Sequence, residues 1–122
     1  MGNEGLIRRS DEIEYQVVDA AEGMRKGVLL DERHGAPTFA IRRFVLEPGA
    51  TVPKHMNQVE HEQYVLEGHY VVGIGDEEYS VSPGDVLFIP AGTVHWYRNE
   101  SDAPGAFICG VPHGDDHIEL AE

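Results

Sequence analysis

Turn-forming dipeptides recur at short intervals along the chain, and their spacing limits the possible folds more than any other feature. They are Pro48-Gly49, Glu67-Gly68, Gly75-Asp76, Pro83-Gly84 and Ala91-Gly92. The segments around them are short and rich in Val, Ile, Phe and Tyr, namely TFAIRRFVLE, QYVLEG, YVVGIG, EEYSV, DVLFIP and GAFICGV. Short β-favouring segments at such regular spacing predict an all-β sandwich or barrel. No segment has the periodicity of a convincing amphipathic helix.

The length of 122 residues suits one domain around one hydrophobic core. We expect residues 1–122 to form this single domain, with its core at about residues 39–111. N-terminal strands are expected within residues 13–38, and residues 113–122 are expected to be a loose polar tail.

The charge of the chain disfavours two classes of partner. The formal net charge of −13 repels phosphate backbones and anionic lipid surfaces, so we expect neither nucleic acid nor a membrane as a partner. No apolar run approaches the length of a membrane span, and no secretion signal is recognisable, so a cytoplasmic location is expected. The single cysteine, Cys109, cannot form an internal disulfide and is expected to be a buried thiol.

Histidines with metal-ligand spacing lie in the segment KHMNQVEHEQYVLEG. His55 and Asn57 are two residues apart, so their side chains leave the same face of one strand. His61 and Gln63 share a face of the next strand in the same way. A short loop joins the two strands, so His55 and His61 are predicted to converge across a hairpin. A hairpin supplies only two or three ligands, so a further ligand must come from elsewhere.

That ligand is predicted in GDVLFIPAGTVHWYRN, where His95 follows a Pro90-Ala91-Gly92 turn. Together the two segments resemble the two motifs of the cupin superfamily, in particular its small single-domain metal-binding members. The first motif reads Gly49, five residues, His55-Met56-Asn57, three residues, His61, six residues, Gly68. The second reads Gly84, five residues, Pro90-Ala91-Gly92, two residues, His95, three residues, Asn99.

This resemblance implies a double-stranded β-helix (a jelly-roll barrel) with one divalent metal ion held by His55, His61 and His95. A related subgroup has a fourth histidine at the position of Asn57. Asn57 is therefore a weak ligand through its carbonyl oxygen, a hydrogen-bond partner of a metal-bound water, or a turn-former. Iron or manganese is favoured, and zinc, nickel and copper also accept imidazole.

The resemblance further suggests a mononuclear metal-dependent oxygenase, dioxygenase-like, acting on a small organic molecule. One alternative is a metal-dependent isomerase, lyase or decarboxylase, and another is a non-catalytic module that binds a sugar-like small molecule. Small cupins usually dimerise through sheet edges, so a homodimer is expected.

Strand alternation predicts which other side chains face the barrel interior. Tyr97 follows His95 by two residues, so Tyr97 and Gln63 are the candidates to position a substrate. Phe107 and Cys109 alternate on the last strand and are expected to pack in the core. Of Arg42 and Arg43 one must face inward, where it could bind a carboxylate, but the pattern does not say which. Trp96 is expected to point outward, and the histidines outside the motifs, His34, His69, His113 and His117, are expected to be solvated.

Overall fold

A computed structural model describes residues 4–114 and 118–121. Ten strands account for most of them, with only two short 3₁₀ turns, Ser10–Glu12 and Glu32–His34. The strands are β1 (Tyr15–Val17), β2 (Glu22–Leu30), β3 (Phe39–Met56), β4 (His61–Glu67), β5 (Tyr70–Ile74), β6 (Glu77–Val81), β7 (Val86–Ile89), β8 (His95–Arg98), β9 (Gly105–Pro112) and β10 (Glu119–Leu120). No helix among these residues has the length and apolar character needed to cross a membrane.

All the strand pairs are antiparallel, and the main order across the sheet is β6-β5-β8-β3-β9-β4-β7. Strands β2 and β10 also pair with β3, and β1 pairs with β2. The long strand β3 belongs to both halves of the fold, because residues 39–46 pair with β9 whereas residues 51–55 pair with β8. The sheet therefore rolls over on itself, which confirms the predicted all-β double-stranded β-helix.

Strand β3 bends between its two halves, at Pro48-Gly49, where the sequence predicted a turn. Gly49 has a φ of +81°, a left-handed conformation that favours glycine. The strand is held to the end of β8 at this point, because the Gly49 amide donates to the Asn99 carbonyl at 2.9 Å and the Asn99 amide donates to the Ala50 carbonyl at 3.0 Å. The predicted turn is therefore a bend within one strand rather than a reversal of the chain.

The core lies between the inner faces of the rolled sheet. Its fully buried side chains include Leu46, Val65, Val72, Phe107 and Cys109, so the expected burial of Phe107 and Cys109 is confirmed.

The C-terminal segment includes ordered structure as well as undescribed residues. The sequence predicted a loose polar tail over residues 113–122. In the structure, Glu119 and Leu120 form a short strand that pairs with Met56 and His55. His117, one of the histidines expected to be solvated, lies outside the described residues.

Candidate metal centre

Two histidines of the predicted site are direct neighbours on adjacent strands. His55 near the end of β3 is the register partner of His95 at the start of β8, and their ring centroids are 4.1 Å apart. Both side chains are buried. The two motifs of the sequence therefore meet at one point, as the resemblance implied.

His61 approaches the pair from another part of the barrel, and the predicted hairpin between β3 and β4 is wrong. Both edges of β3 near His55 are already occupied, one by β8 and the other by β10. Strand β4 pairs instead with β9 and β7, so the loop of residues 57–60 crosses the barrel. His61 is buried, and its ring centroid lies 5.9 Å from that of His95.

Backbone carbonyls fix the tautomers of His55 and His95. The Nδ1 atom of His55 lies 2.8 Å from the Pro53 carbonyl oxygen, and Nδ1 of His95 lies 2.9 Å from the Thr93 carbonyl oxygen. A carbonyl oxygen can only accept, so each Nδ1 carries the proton and each neutral ring keeps its lone pair on Nε2. This is the arrangement that orients metal-binding histidines in proteins.

His61, the third histidine, has the thiol of Cys109 as a hydrogen-bond partner. Burial raises the pKa of the Cys109 thiol, but a hydrogen bond and the charge of His61, together with Arg42, outweigh burial and lower the pKa below its ordinary value. Within residues 4–114 and 118–121, no three His, Cys, Asp or Glu side chains come together closely enough to hold an ion. Binding an ion would therefore require these side chains to rearrange.

Asn57 lies at the entrance to the loop between β3 and β4. Its side chain is buried and lines the same cavity as the three histidines. Its main-chain oxygen accepts a 2.8 Å hydrogen bond from Gly92, which ties the first motif to the turn of the second. The residue does not adopt a left-handed backbone conformation, so a special turn geometry is not the reason for an asparagine here.

Gln63 and Tyr97 both face the interior, as strand alternation predicted. Gln63 Nε2 donates to the Tyr97 hydroxyl at 2.8 Å across the barrel. That phenol therefore directs its own proton elsewhere, and burial raises its pKa far above the ordinary value, so it stays neutral. The Oε1 atom of Gln63 is buried and has no hydrogen-bond partner among the described residues. The pair offers one hydrogen-bond donor and one acceptor inside the barrel.

The cavity between these groups has a volume of about 90 Å³. Arg42 is the inward arginine, because it is 5% exposed and lines this cavity. Arg43 lies on the outer face and pairs with Glu67 at 3.0 Å. Phe107, predicted to be core, also lines the cavity, and its ring stacks on Tyr97 with centroids 5.2 Å apart.

Among the described residues, sequence reasoning missed six contributors to this cavity, namely Val18, Met24, Lys26, Phe44, Val52 and Ile118. Strands β2 and β3 bring Lys26 directly opposite Phe44. The alternation of β2 was a usable signal for Met24 and Lys26, but no motif marks that strand.

Of the histidines outside the motifs, the three that the structure describes are not part of the site. His69 contacts Ser82 at the surface, and His34 accepts a hydrogen bond from the Asp31 amide. The expectation that His113 is solvated is only partly met, because its Nε2 bonds the Ala36 carbonyl at 2.7 Å. Trp96 points away from the cavity, as expected, and its ring lies 4.4 Å from the Arg98 guanidinium.

Comparison with known proteins gives one family and several similar structures. A family model described as a cupin domain matches residues 42–111. Mannose-1-phosphate guanylyltransferase of Salmonella muenchen is 30% identical over 73 residues, which are 58% of this chain and 15% of that protein. The chain spans only 15%, 21% and 23% of the length of the first three curated relatives.

Two solved structures share the whole fold. The polyketide cyclase RemF from Streptomyces resistomycificus superposes with a TM-score of 0.86 at 25% identity, covering 96% of this chain and 87% of that one. KdgF from a Halomonas species gives a TM-score of 0.76 at 20% identity, covering 92% of this chain and 97% of that one. The first likeness extends to sequence, whereas the second concerns the fold alone.

Proposed function

The chain belongs to the cupin domain family, and on this basis we propose that it is a mononuclear metal-dependent oxygenase, dioxygenase-like, that acts on a small organic molecule inside the barrel. The observation that carries the proposal is the pair of Nδ1–H bonds from His55 and His95 to backbone carbonyls, at 2.8 and 2.9 Å. These bonds leave the Nε2 atoms of two adjacent imidazoles, each with its lone pair, as the ligating atoms.

In this proposal His55, His61 and His95 hold one divalent ion, and Asn57 lies beside it as a fourth, weak ligand or as a hydrogen-bond partner of a bound water. Three neutral imidazoles leave the full charge of the ion uncompensated and leave coordination positions open. A bound ion would supply a Lewis acid and, if it were iron or manganese, a centre that activates dioxygen.

The chain's own residues would orient the substrate. Tyr97 would donate a hydrogen bond from its neutral phenol, and Gln63 would accept one through Oε1 while it holds the phenol in place. Phe44, Phe107 and Val52 form apolar walls that exclude water from this end of the barrel. These residues would therefore position a small molecule and protect reactive species from solvent.

A second candidate is a metal-assisted isomerase, lyase or cyclase that uses no oxidant. The likeness to the polyketide cyclase, at 25% identity over 96% of this chain, favours it. The cavity volume of about 90 Å³ argues for a substrate much smaller than a polycyclic polyketide. The two candidates differ in the ion they need, because oxidation by dioxygen requires a redox-active metal whereas Lewis-acid catalysis can use zinc.

The proposal is tested by elemental analysis of untagged protein purified without chelators, compared with His95→Ala. The matched control is His69→Ala, an identical change at an exposed histidine outside the cavity. We expect about one equivalent of iron or manganese in wild type and control, with at least a tenfold loss in His95→Ala because a ligand is removed.

Oxygen consumption in a screen of small molecules would then identify the reaction. Stoichiometric zinc, also lost in His95→Ala, would transfer the proposal to the second candidate. If no protein retained metal after incubation with Fe(II), Mn(II) and Zn(II), the metal centre would be refuted and a binding module would remain.

A further inference from the structure

One buried side chain of the cavity has an oxygen atom that the described part of the chain leaves without a hydrogen bond. Gln63 is 4% exposed, and its Oε1 atom has no hydrogen-bond partner among the described residues. Buried amide oxygens are normally hydrogen-bonded, because leaving such an acceptor without a donor costs free energy. Gln63 lines the cavity, so a molecule inside the cavity is the natural source of the missing donor.

The nitrogen of the same amide is already committed to the barrel wall. Gln63 Nε2 donates to the Tyr97 hydroxyl oxygen at 2.8 Å and to Cys109 Sγ at 3.8 Å. A primary amide has two N–H donors, so these two contacts use both of them. Gln63 and Cys109 are also register partners on β4 and β9, which holds the amide against this side of the barrel. Oε1 is therefore the atom of this side chain that remains for a ligand.

Tyr97 provides a complementary donor from the other side of the barrel. It lies on β8 between Val52 of β3 and Val72 of β5, and it is 3% exposed. Its oxygen accepts from Gln63, and its own proton has no acceptor among the described residues. A phenol keeps its proton at neutral pH, so this hydroxyl still has one hydrogen bond to donate.

The donor and the acceptor are neighbours, because the amide that carries Oε1 also bonds the phenol. A donor beside an acceptor matches a single hydroxyl group, which accepts one hydrogen bond and donates another. Much of the remaining wall is apolar and contains Val18, Met24, Phe44, Val52, Phe107 and Ile118. A small molecule with a hydroxyl on a short carbon skeleton therefore fits both parts of the cavity.

We propose that Gln63 and Tyr97 form a hydroxyl-recognition pair, and that the ligand of the cavity is a small neutral molecule whose hydroxyl accepts from Tyr97 and donates to Oε1 of Gln63. The inference deepens the proposed function and rests on it only for the reaction that follows binding. The volume of about 90 Å³ equals the bulk volume of roughly three water molecules, which limits the ligand to a short-chain hydroxy compound. Gln63 thereby determines specificity, because a ligand without a hydroxyl leaves Oε1 unsatisfied.

The test compares isopropanol with acetone, which has the same carbon skeleton. Both probes can accept from Tyr97, but only isopropanol can donate to Gln63. Affinities are measured by saturation-transfer and ¹⁵N-resolved NMR, on the protein as purified and again after chelator treatment. The chelator-treated sample separates recognition by Gln63 from coordination of the hydroxyl to a metal ion.

The variants remove one partner of the hydroxyl at a time. Gln63→Met removes the acceptor and keeps a side chain of similar length, and Tyr97→Phe removes the donor. The matched control is Tyr70→Phe, because Tyr70 is a buried phenol that packs against Tyr97 but does not line the cavity.

We expect wild type and Tyr70→Phe to bind isopropanol at least about tenfold more tightly than acetone in both samples. Gln63→Met should reduce this ratio to within about twofold, because the acceptor of the alcohol proton is gone. Tyr97→Phe should weaken both probes at least about fivefold, because both accept the same phenolic proton. If Gln63→Met does not fold, the ratio in wild type decides.

The proposal is overturned if wild type binds the two probes equally or binds neither, or if the selectivity disappears after chelator treatment. It is also overturned if folded Gln63→Met keeps the wild-type ratio, or if Tyr97→Phe matches Tyr70→Phe. Failure of the metal centre would appear separately, as absence of metal in the elemental analysis, and would leave the selectivity of wild type unchanged.

Discussion

Arg42 and Arg43 have the same side chain and adjacent positions, yet the barrel wall gives them opposite surroundings. Arg42 is enclosed among Cys109, Phe44 and the cavity, while Arg43 pairs with Glu67 on the outer face. The difference follows from the twofold alternation of a strand, which places neighbours on opposite faces. At this scale a residue's role depends on its face of the strand more than on its chemistry.

Tyr70 illustrates the cost of an inward polar group that has no partner. Its ring packs against Tyr97 and Phe107, and its hydroxyl has no hydrogen-bond partner among the described residues. Burial, and to a smaller extent the charge of Asp85, raises the pKa of Tyr70 far above its ordinary value. The folded state therefore keeps the phenol neutral where the unfolded chain would ionise.

We predict that Tyr70→Phe leaves the free energy of unfolding at pH 7 unchanged or raises it by about 1 kcal/mol, because it removes a buried hydroxyl without a partner. Above about pH 10 the unfolded state of the wild type releases this proton and the folded state does not, so stability falls as pH rises. Tyr70→Phe should weaken that alkaline loss. Urea unfolding at pH 7 and pH 11 measures both effects, with the exposed Tyr79→Phe as control. A destabilised Tyr70→Phe at pH 7 would show that the hydroxyl has a favourable partner.

Asn99, the last residue of the second motif, acts on strand β3 rather than in the cavity. Its buried Nδ2 donates to the carbonyls of Leu46, Glu47 and Ala103 at 3.0, 3.3 and 2.9 Å. Its Oδ1 accepts from the amide and hydroxyl of Ser101. The side chain thereby fixes the bend of β3 at the point where the strand passes from one half of the fold to the other.

We predict that Asn99→Asp lowers the free energy of unfolding by at least about 2 kcal/mol, because a carboxylate cannot donate to the three carbonyls and would be buried against them. The control is Ser101→Ala, which keeps those three bonds and should cost about 1 kcal/mol. Chemical denaturation with the same slope for all three proteins measures the difference. Equal stabilities of Asn99→Asp and wild type would show that the bend does not depend on this side chain.

The main strand order of the sheet ends at β6 and β7, and large apolar side chains are exposed near β7. Val86 is 75% exposed and Phe88 57%, and Tyr64 on the neighbouring strand is 49% exposed. Such a patch on an end strand is a candidate association surface.

We propose that a second copy of the chain covers this apolar patch, which would form the homodimer expected from the family resemblance. The charge of −13 on each copy would oppose association, so the dimer should tighten as salt increases.

We predict that Phe88→Glu raises the dimer dissociation constant at least about tenfold, which corresponds to about 1.4 kcal/mol, because it places a charge in an apolar contact. Phe39→Glu is the matched control, since Phe39 is 54% exposed but lies on a different strand. Sedimentation velocity over a concentration series measures the constants. A monomeric wild type, or equal effects of the two variants, would refute this interface.

The sequence alone determined the fold class and most of the candidate site, because both depend on local pattern. The spacing of turn residues and β-favouring segments indicated an all-β fold, and alternation placed His61 and Gln63 on one inward face and Tyr97 with His95 on another. The family resemblance predicted that the two motifs form one site, and the distance of 4.1 Å between the ring centroids of His55 and His95 agrees with that prediction.

Only the tertiary structure decided which strands lie side by side, because strand pairing is a non-local choice that alternation does not encode. It replaced the predicted hairpin of β3 and β4 with a loop that crosses the barrel, since both edges of β3 at His55 are taken by β8 and β10. It showed that the predicted Pro48-Gly49 turn is a bend within strand β3, because Asn99 bridges the two halves of that strand. It also selected Arg42 over Arg43 for the interior and brought Lys26 to the same cavity. Alternation determines that two neighbouring side chains face opposite ways, but only the assembled barrel determines which way is inward.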